Sequence, residues 1–245
     1  MALLQTIRSE GYHFSDFSDG AHVENAVVLR HDVDFSLKIA AEFSELEAEL
    51  QIPATYFVLI NTDFYNVCSR ENRSHLQRIV NNGGTIGLHF DVSQYRESLP
   101  PPEDTHYSAQ LNQYAQQERM ILEAVVGRIV PAIAFHCPSQ SDIQSDARFD
   151  GMINAYGRKF FREFKYLSDS SMHWREDVDR VLREHQYRRL QILTHPFWYP
   201  KRESSKRELL KQLCLDATQE RYHSLEQNFD SLHEFLLPSD LEALE

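Results

Sequence analysis

The chain alternates short, wholly apolar runs with longer segments whose apolar positions recur every three or four residues. Ala26-Val27-Val28-Leu29, continuing to residue 34, reads as a buried strand. Residues 54–60 (ATYFVLI), 85–90, 132–137 (AIAFHC) and 190–195 (LQILTH) read the same way. Between the first two, Leu37, Ile39, Phe43, Leu46 and Leu50 predict a helix over 35–50. Further helices are predicted over 74–80, 107–126 and 175–185, with one or two short strands in 160–168. A helix from about 201 to 214 and a last amphipathic one near 225–236, packing on the rest, close the chain. Pro100, Pro101 and Pro102 make 92–106 a loop, and the Ser-, Asp- and Gln-rich stretch 138–150 reads likewise. Strands separated by helices pair in parallel through crossovers. Repeated over one unit of 245 residues, this predicts an α/β fold with a single domain across 1–245. A (β/α) barrel, distorted or with fewer than eight strands, suits the pattern better than an open sheet. No GxGxxG or GxxxxGK occurs among the eight glycines, so a dinucleotide or P-loop fold is not indicated.

Composition narrows the partners. Lysine and arginine number 25 against 37 acids, a formal charge of -12, which disfavours nucleic acid and anionic membranes. No apolar run is long enough for a membrane span, and residues 1–10 lack the apolar core of a signal peptide. Cys68, Cys137 and Cys214 are odd in number and widely spaced, which fits reduced thiols and a cytoplasmic location.

The chemistry gathers where strands end. Asp32 and Asp34, His89 and Asp91, His136, and His195 each close an apolar run, and Tyr166 to Ser170 ends in the same manner with Asp169. C-terminal strand ends are where barrels assemble their sites. Side chains alternate along a strand, so Asp32 and Asp34 share a face and His31 takes the other. Two neighbouring carboxylates need a cation, a proton or an arginine to persist. Histidine with carboxylate suits a divalent transition metal, zinc foremost. Asp34 and His89 are the best candidate ligands, and His136 and Asp91 compete for the third position. Asp91 could equally orient a ligand histidine. His31 is assigned to a supporting or core role behind the site.

These residues resemble the polysaccharide deacetylases, the NodB-type carbohydrate esterases, from about Ala26 to Pro196. Asp32-Val33-Asp34 resembles a spaced form of the family's first acidic pair, and Ile86-Gly87-Leu88-His89 the start of its second motif. Leu193-Thr194-His195 resembles its last motif, and Asp169 before Trp174 its fourth. The resemblance implies a distorted (β/α)7 barrel, with Asp32 as catalytic base and Asp34 and His89 on a metal. It further implies His195 as general acid, tuned by Asp169. Two positions depart from the family. A second histidine four residues after His89 is replaced by Ser93, and His136 stands where an arginine is usual. Either His136 or Asp91 takes over as third ligand, or the metal site is weakened.

The implied activity is metal-dependent removal of an acetyl group from an N-acetylated sugar or precursor, in surface polysaccharide metabolism. Alternatives are hydrolysis of a non-sugar C–N (amide) bond and a non-catalytic sugar- or partner-binding role. Tyr65, Trp198 and Tyr199 are candidate sugar contacts, since flat rings stack on pyranose faces, although packing is the commoner fate of aromatics. Lys201-Arg202 and Lys206-Arg207 form a basic run, read as a solvated face or a contact for a phosphate-bearing carrier.

Overall fold

The computed structural model describes residues 2–20 and 22–241. The chain forms two compact units, Met1–Tyr199 and Pro200–Glu245. In chain order the first unit contains α1 (Ala2–Ser9), β1 (His13–Ser15), β2 (Ala26–Val33), α2 (Leu37–Glu49), β3 (Thr55–Leu59), α3 (Arg70–Asn81) and β4 (Thr85–Phe90). It continues with α4 (Tyr107–Val126), β5 (Ala132–Phe135), α5 (Gln140–Gln144), β6 (Ile153–Asn154), α6 (Arg158–Arg162), β7 (Lys165–Ser168), α7 (Val178–Glu184) and β8 (Arg189–Thr194). The second unit holds α8 (Lys206–Glu226) and two short 3-10 turns, Leu232–Glu234 and Pro238–Leu241.

All strand pairs are parallel, in the order β6-β5-β4-β3-β2-β8-β7. The sheet curls into an incomplete (β/α) barrel of seven strands. Among the described residues no ladder joins β6 to β7. Aromatic side chains line that seam instead: Tyr156 lies 6.0 Å from Phe135, 5.2 Å from Phe161 and 6.1 Å from Tyr166. β1 pairs with the first half of β2, on the edge that β3 occupies along the second half. Every residue of β2 is buried, because one face looks into the barrel and the other meets helices.

Differences from the sequence pattern have local causes. α3 begins before residue 74 because the Ser69 hydroxyl caps it by accepting from Asn72 N, and its first turn is too polar to show periodicity. A capping box between Ser139 and Asp142 creates α5 inside the expected loop. Of the stretch 160–168, β7 forms a strand at Lys165–Ser168, whereas residues 158–162 form a helix that turns Phe160 inward. A second capping box, Ser205 with Glu208, starts a helix at Lys206 that runs on to Glu226, past the expected end near 214. The predicted helix at 225–236 is absent beyond Glu226, where Asn228, Asp230 and Ser231 favour turns. No helix of the described residues is long and apolar enough to cross a membrane.

Register decides what faces the barrel interior. Asp32 pairs with Phe57, Phe57 with Gly87, Leu59 with His89, and His89 with Ala134. Arg30 pairs with Leu193 on the other side. Paired residues project to one face, so Arg30, Asp32, Phe57, Gly87 and His89 line the interior together. Gly87 is small for a reason: a Cβ there would lie 2.6 Å from the Phe57 ring. That ring in turn sits 5.1 Å from the Arg30 guanidinium carbon. Gly87→Ala should therefore destabilise the protein by about 1–3 kcal/mol through overpacking, read as a lower denaturant midpoint at constant slope.

Candidate active site and metal centre

The interior face carries a cluster of acids and imidazoles at the C-terminal strand ends. Asp34 lies one residue beyond β2, His89 is the penultimate residue of β4, and His136 follows β5, held by its amide donating to Phe90 O at 2.9 Å. Potential ligand atoms of these three residues lie within 4.8 Å of one another. His89 Nε2 is 3.3 Å from Asp34 Oδ1 and 3.2 Å from His136 Nδ1, and His136 Nδ1 is 3.5 Å from Asp34 Oδ1. A backbone partner sets the His89 tautomer: Nδ1 donates to Ala134 O at 3.1 Å, which leaves the Nε2 lone pair facing the cluster. Asp34 Oδ1 is buried and accepts no well-aligned hydrogen bond. Burial pushes the Asp34 carboxyl up, but the imidazoles of His136 and His89 outweigh this and its pKa falls well below the usual range. His136 is raised to about 10, first by Asp34 and then by Cys137.

Asp32 has a different environment. Arg30 Nε donates to Oδ1 and Nη2 to Oδ2, both at 2.7 Å. Both residues are buried. The guanidinium lies between the rings of Phe57 and Tyr156, at 5.1 and 4.6 Å. Burial works against the Asp32 charge, but Arg30 more than compensates and the pKa is lowered. The sequence reading passed over Arg30. The available signal was its position two residues before Asp32, hence on the same strand face.

His195 is oriented by Asp169 on two sides. Asp169 Oδ2 accepts from the His195 amide at 3.0 Å, and Oδ1 lies 2.6 Å from Nδ1. Nε2 then faces the cluster, 3.7 Å from Asp34 Oδ2. Burial lowers the His195 pKa, but Asp169 and Asp32 reverse the balance and it is raised.

The other candidates fall in varied surroundings. Asp91 caps the 3-10 turn Val92–Tyr95, accepting from Ser93 N and Gln94 Nε2 at 2.9 and 3.3 Å, and is not in the ligand group. Ser93 is exposed on that turn. His31 points behind the sheet, where its ring nitrogens meet Thr194 Oγ1 at 2.7 Å and Glu47 Oε1 at 2.6 Å. The Tyr65 hydroxyl is not free for a substrate: it donates to Val33 O at 2.6 Å and accepts from Leu59 N at 3.0 Å, clamping the loop after β3. Trp198 is buried against Phe35 and Phe197, and the Tyr199 hydroxyl bonds Asp169. Tyr199 is nonetheless exposed, and Phe64 is more so, 54% accessible and 4.8 Å from Phe35, the residue after Asp34.

No protein-family model and no curated protein sequence matches the chain. Solved structures resemble it at low identity. The catalytic domain of a peptidoglycan N-acetylglucosamine deacetylase from Eubacterium rectale superposes with TM-score 0.47 at 14% identity, covering 81% of this chain and 86% of that one. The chitin deacetylase of Colletotrichum lindemuthianum gives 0.45 at 16%, covering 76% and 80%. IcaB from Ammonifex degensii gives 0.42 at 16%, covering 59% and 68%. Such overlaps assign no activity, which has to be argued from the side chains.

Two outcomes test the geometry. Arg30→Met leaves Asp32 buried without its cation and should cost about 3–5 kcal/mol of stability, measured by denaturant unfolding. His136→Ala should strip bound metal while Ser93→Ala keeps it, measured by elemental analysis of protein purified from zinc-supplemented medium.

Proposed function

We propose that this chain is a metal-dependent hydrolase that releases acetate from an N-acetylated sugar or sugar precursor. One observation carries the reading: three donor atoms, Asp34 Oδ1, His89 Nε2 and His136 Nδ1, stand 3.2–3.5 Å apart. Donors about 2.0–2.1 Å from a tetrahedral zinc ion must stand roughly 3.3–3.4 Å from one another. The residues therefore fit such an ion. The unsatisfied, buried Asp34 Oδ1 points to the same conclusion, since a buried carboxylate oxygen is costly without a partner. Three protein ligands leave a coordination position open, the arrangement of catalytic rather than structural sites. A divalent ion there would supply Lewis acidity toward the acetyl carbonyl and toward water.

The chain's own groups divide the proton work. Asp32, held ionised by Arg30, takes a proton from the attacking water. Asp34 is unsuited to that task because its oxygen is directed at the ligand group. His195, kept protonated by Asp169, donates from Nε2 to the leaving nitrogen as the C–N bond breaks. Water is consumed, and acetate and a free amine result. The Phe64 ring at the mouth offers an apolar face for a pyranose. His136 completes a three-donor set that Ser93 does not serve, so the departures from the family pattern leave the catalytic reading intact.

Acetate release from a panel of N-acetyl sugars and simple amides, with zinc-loaded protein, tests the activity. Release from sugars supports the proposal; release from simple amides alone redirects it to a non-sugar substrate. Asp32→Asn should abolish turnover by at least ~10²-fold while retaining metal, and loss of metal would mean the two acids have exchanged roles. For pH dependence, the raised His195 pKa keeps the acid form present to higher pH. Asp169→Asn removes its main support, so the alkaline limb of kcat/KM should move to lower pH. An unmoved limb would rule out His195 as the acid.

A further inference from the structure

Behind the sheet, on the face away from the ligand group, lies a buried polar cluster that takes no part in the proton transfers: His31, Glu47, Thr194 and Tyr56. His31 stands at its centre. Its Nδ1 is 2.7 Å from Thr194 Oγ1, and its Nε2 is 2.6 Å from Glu47 Oε1. The other Glu47 oxygen accepts from the Tyr56 hydroxyl. The rings of Phe43 and Tyr56 close on the imidazole, with centroids at 5.2 and 4.7 Å. Buried polar groups are costly unless each finds a partner, and a network that satisfies them is correspondingly rigid.

The register shows what this rigidity acts on. His31 pairs with Tyr56 on β3 and with Thr194 on β8, so the three form one row across neighbouring strands. Successive side chains take opposite faces. The next residue of each chain segment is therefore turned to the interior: Phe57 against Arg30, Asp32 as the proposed base, and His195 as the proposed acid. His31 with Thr194 is also the last rung of the β2–β8 ladder. Asp32 and His195 lie one residue beyond it, where no backbone ladder between these strands spaces them. The side-chain bond at the last rung takes over that task, and Glu47 anchors it to α2. We infer that His31 is a positioning residue: held by Glu47, it binds Thr194 and thereby sets the spacing between Asp32 and His195. The inference rests on the hydrolase reading for its effect on turnover, whereas its effect on His195 is measurable without turnover.

Two kinds of variant test it in zinc-loaded protein. Thr194→Val removes the hydroxyl at nearly constant size, and Thr194→Ser keeps it. With N-acetylglucosamine as the probe, Thr194→Val should lower kcat roughly 10- to 100-fold with KM and zinc content unchanged, and Thr194→Ser should restore it. Glu47→Gln, which disturbs the clamp from the α2 side, provides the same kinetic comparison if Thr194→Val does not fold. The second readout is the proton NMR resonance of His195 Nδ1–H, in its 2.6 Å bond to Asp169. That resonance should move or broaden in Glu47→Gln, although Glu47 lies on the opposite side of the sheet. A wild-type kcat in Thr194→Val, an equal loss in Thr194→Ser, or a His195 resonance unmoved in Glu47→Gln would each overturn the positioning role. A moved resonance in a protein that releases no acetate from any substrate would refute the hydrolase and leave the coupling of Glu47 to His195 standing.

Discussion

Two carboxylates two residues apart on one strand face cannot both be buried and ionised unless each has its own cation. The mouth of this barrel is organised around that constraint. Asp32 receives Arg30, from the same face of the same strand, as a two-pronged ion pair. Asp34 is left with an oxygen that no hydrogen bond satisfies, surrounded by imidazoles. Chemically similar acids thus acquire different surroundings, one held ionised by a guanidinium and the other turned toward two imidazoles.

The Arg30 pair also governs the packing beneath it. A guanidinium in the barrel interior needs aromatic faces, which Phe57 and Tyr156 supply. Phe57 in turn needs the space that Gly87 leaves. Tyr156 stands at the unpaired seam, so the gap between β6 and β7 is filled by rings rather than by a backbone ladder.

The His136 position shows how register brings in a side chain from a third strand. Ser93 sits on an exposed turn and reaches nothing in the cluster. His136, at the end of β5, is on the inner face because His89 pairs with Ala134, two residues before it. Register alone thus brings a third donor to the group. Behind the sheet, His31, Glu47, Thr194 and Tyr56 form a buried polar set that ties β2 to α2 and to β8.

The barrel was legible in the sequence because buried parallel strands are largely apolar on both faces, and runs such as 26–29 and 132–135 show it. The shared face of Asp32 and Asp34, and the opposite one of His31, followed from strand alternation. Short capped helices were not legible, since α5 and α6 depend on a Ser–Asp box and a glycine rather than on periodicity. Which of His136 and Asp91 would join Asp34 and His89 was also beyond local pattern, because it depends on register across three strands. Arg30 reads as an ordinary polar interruption until folding removes its water and surrounds it with Phe57, Tyr156 and Asp32. Local periodicity determines which faces exist, whereas partners drawn from residues 30 to 195 are set only when the sheet curls.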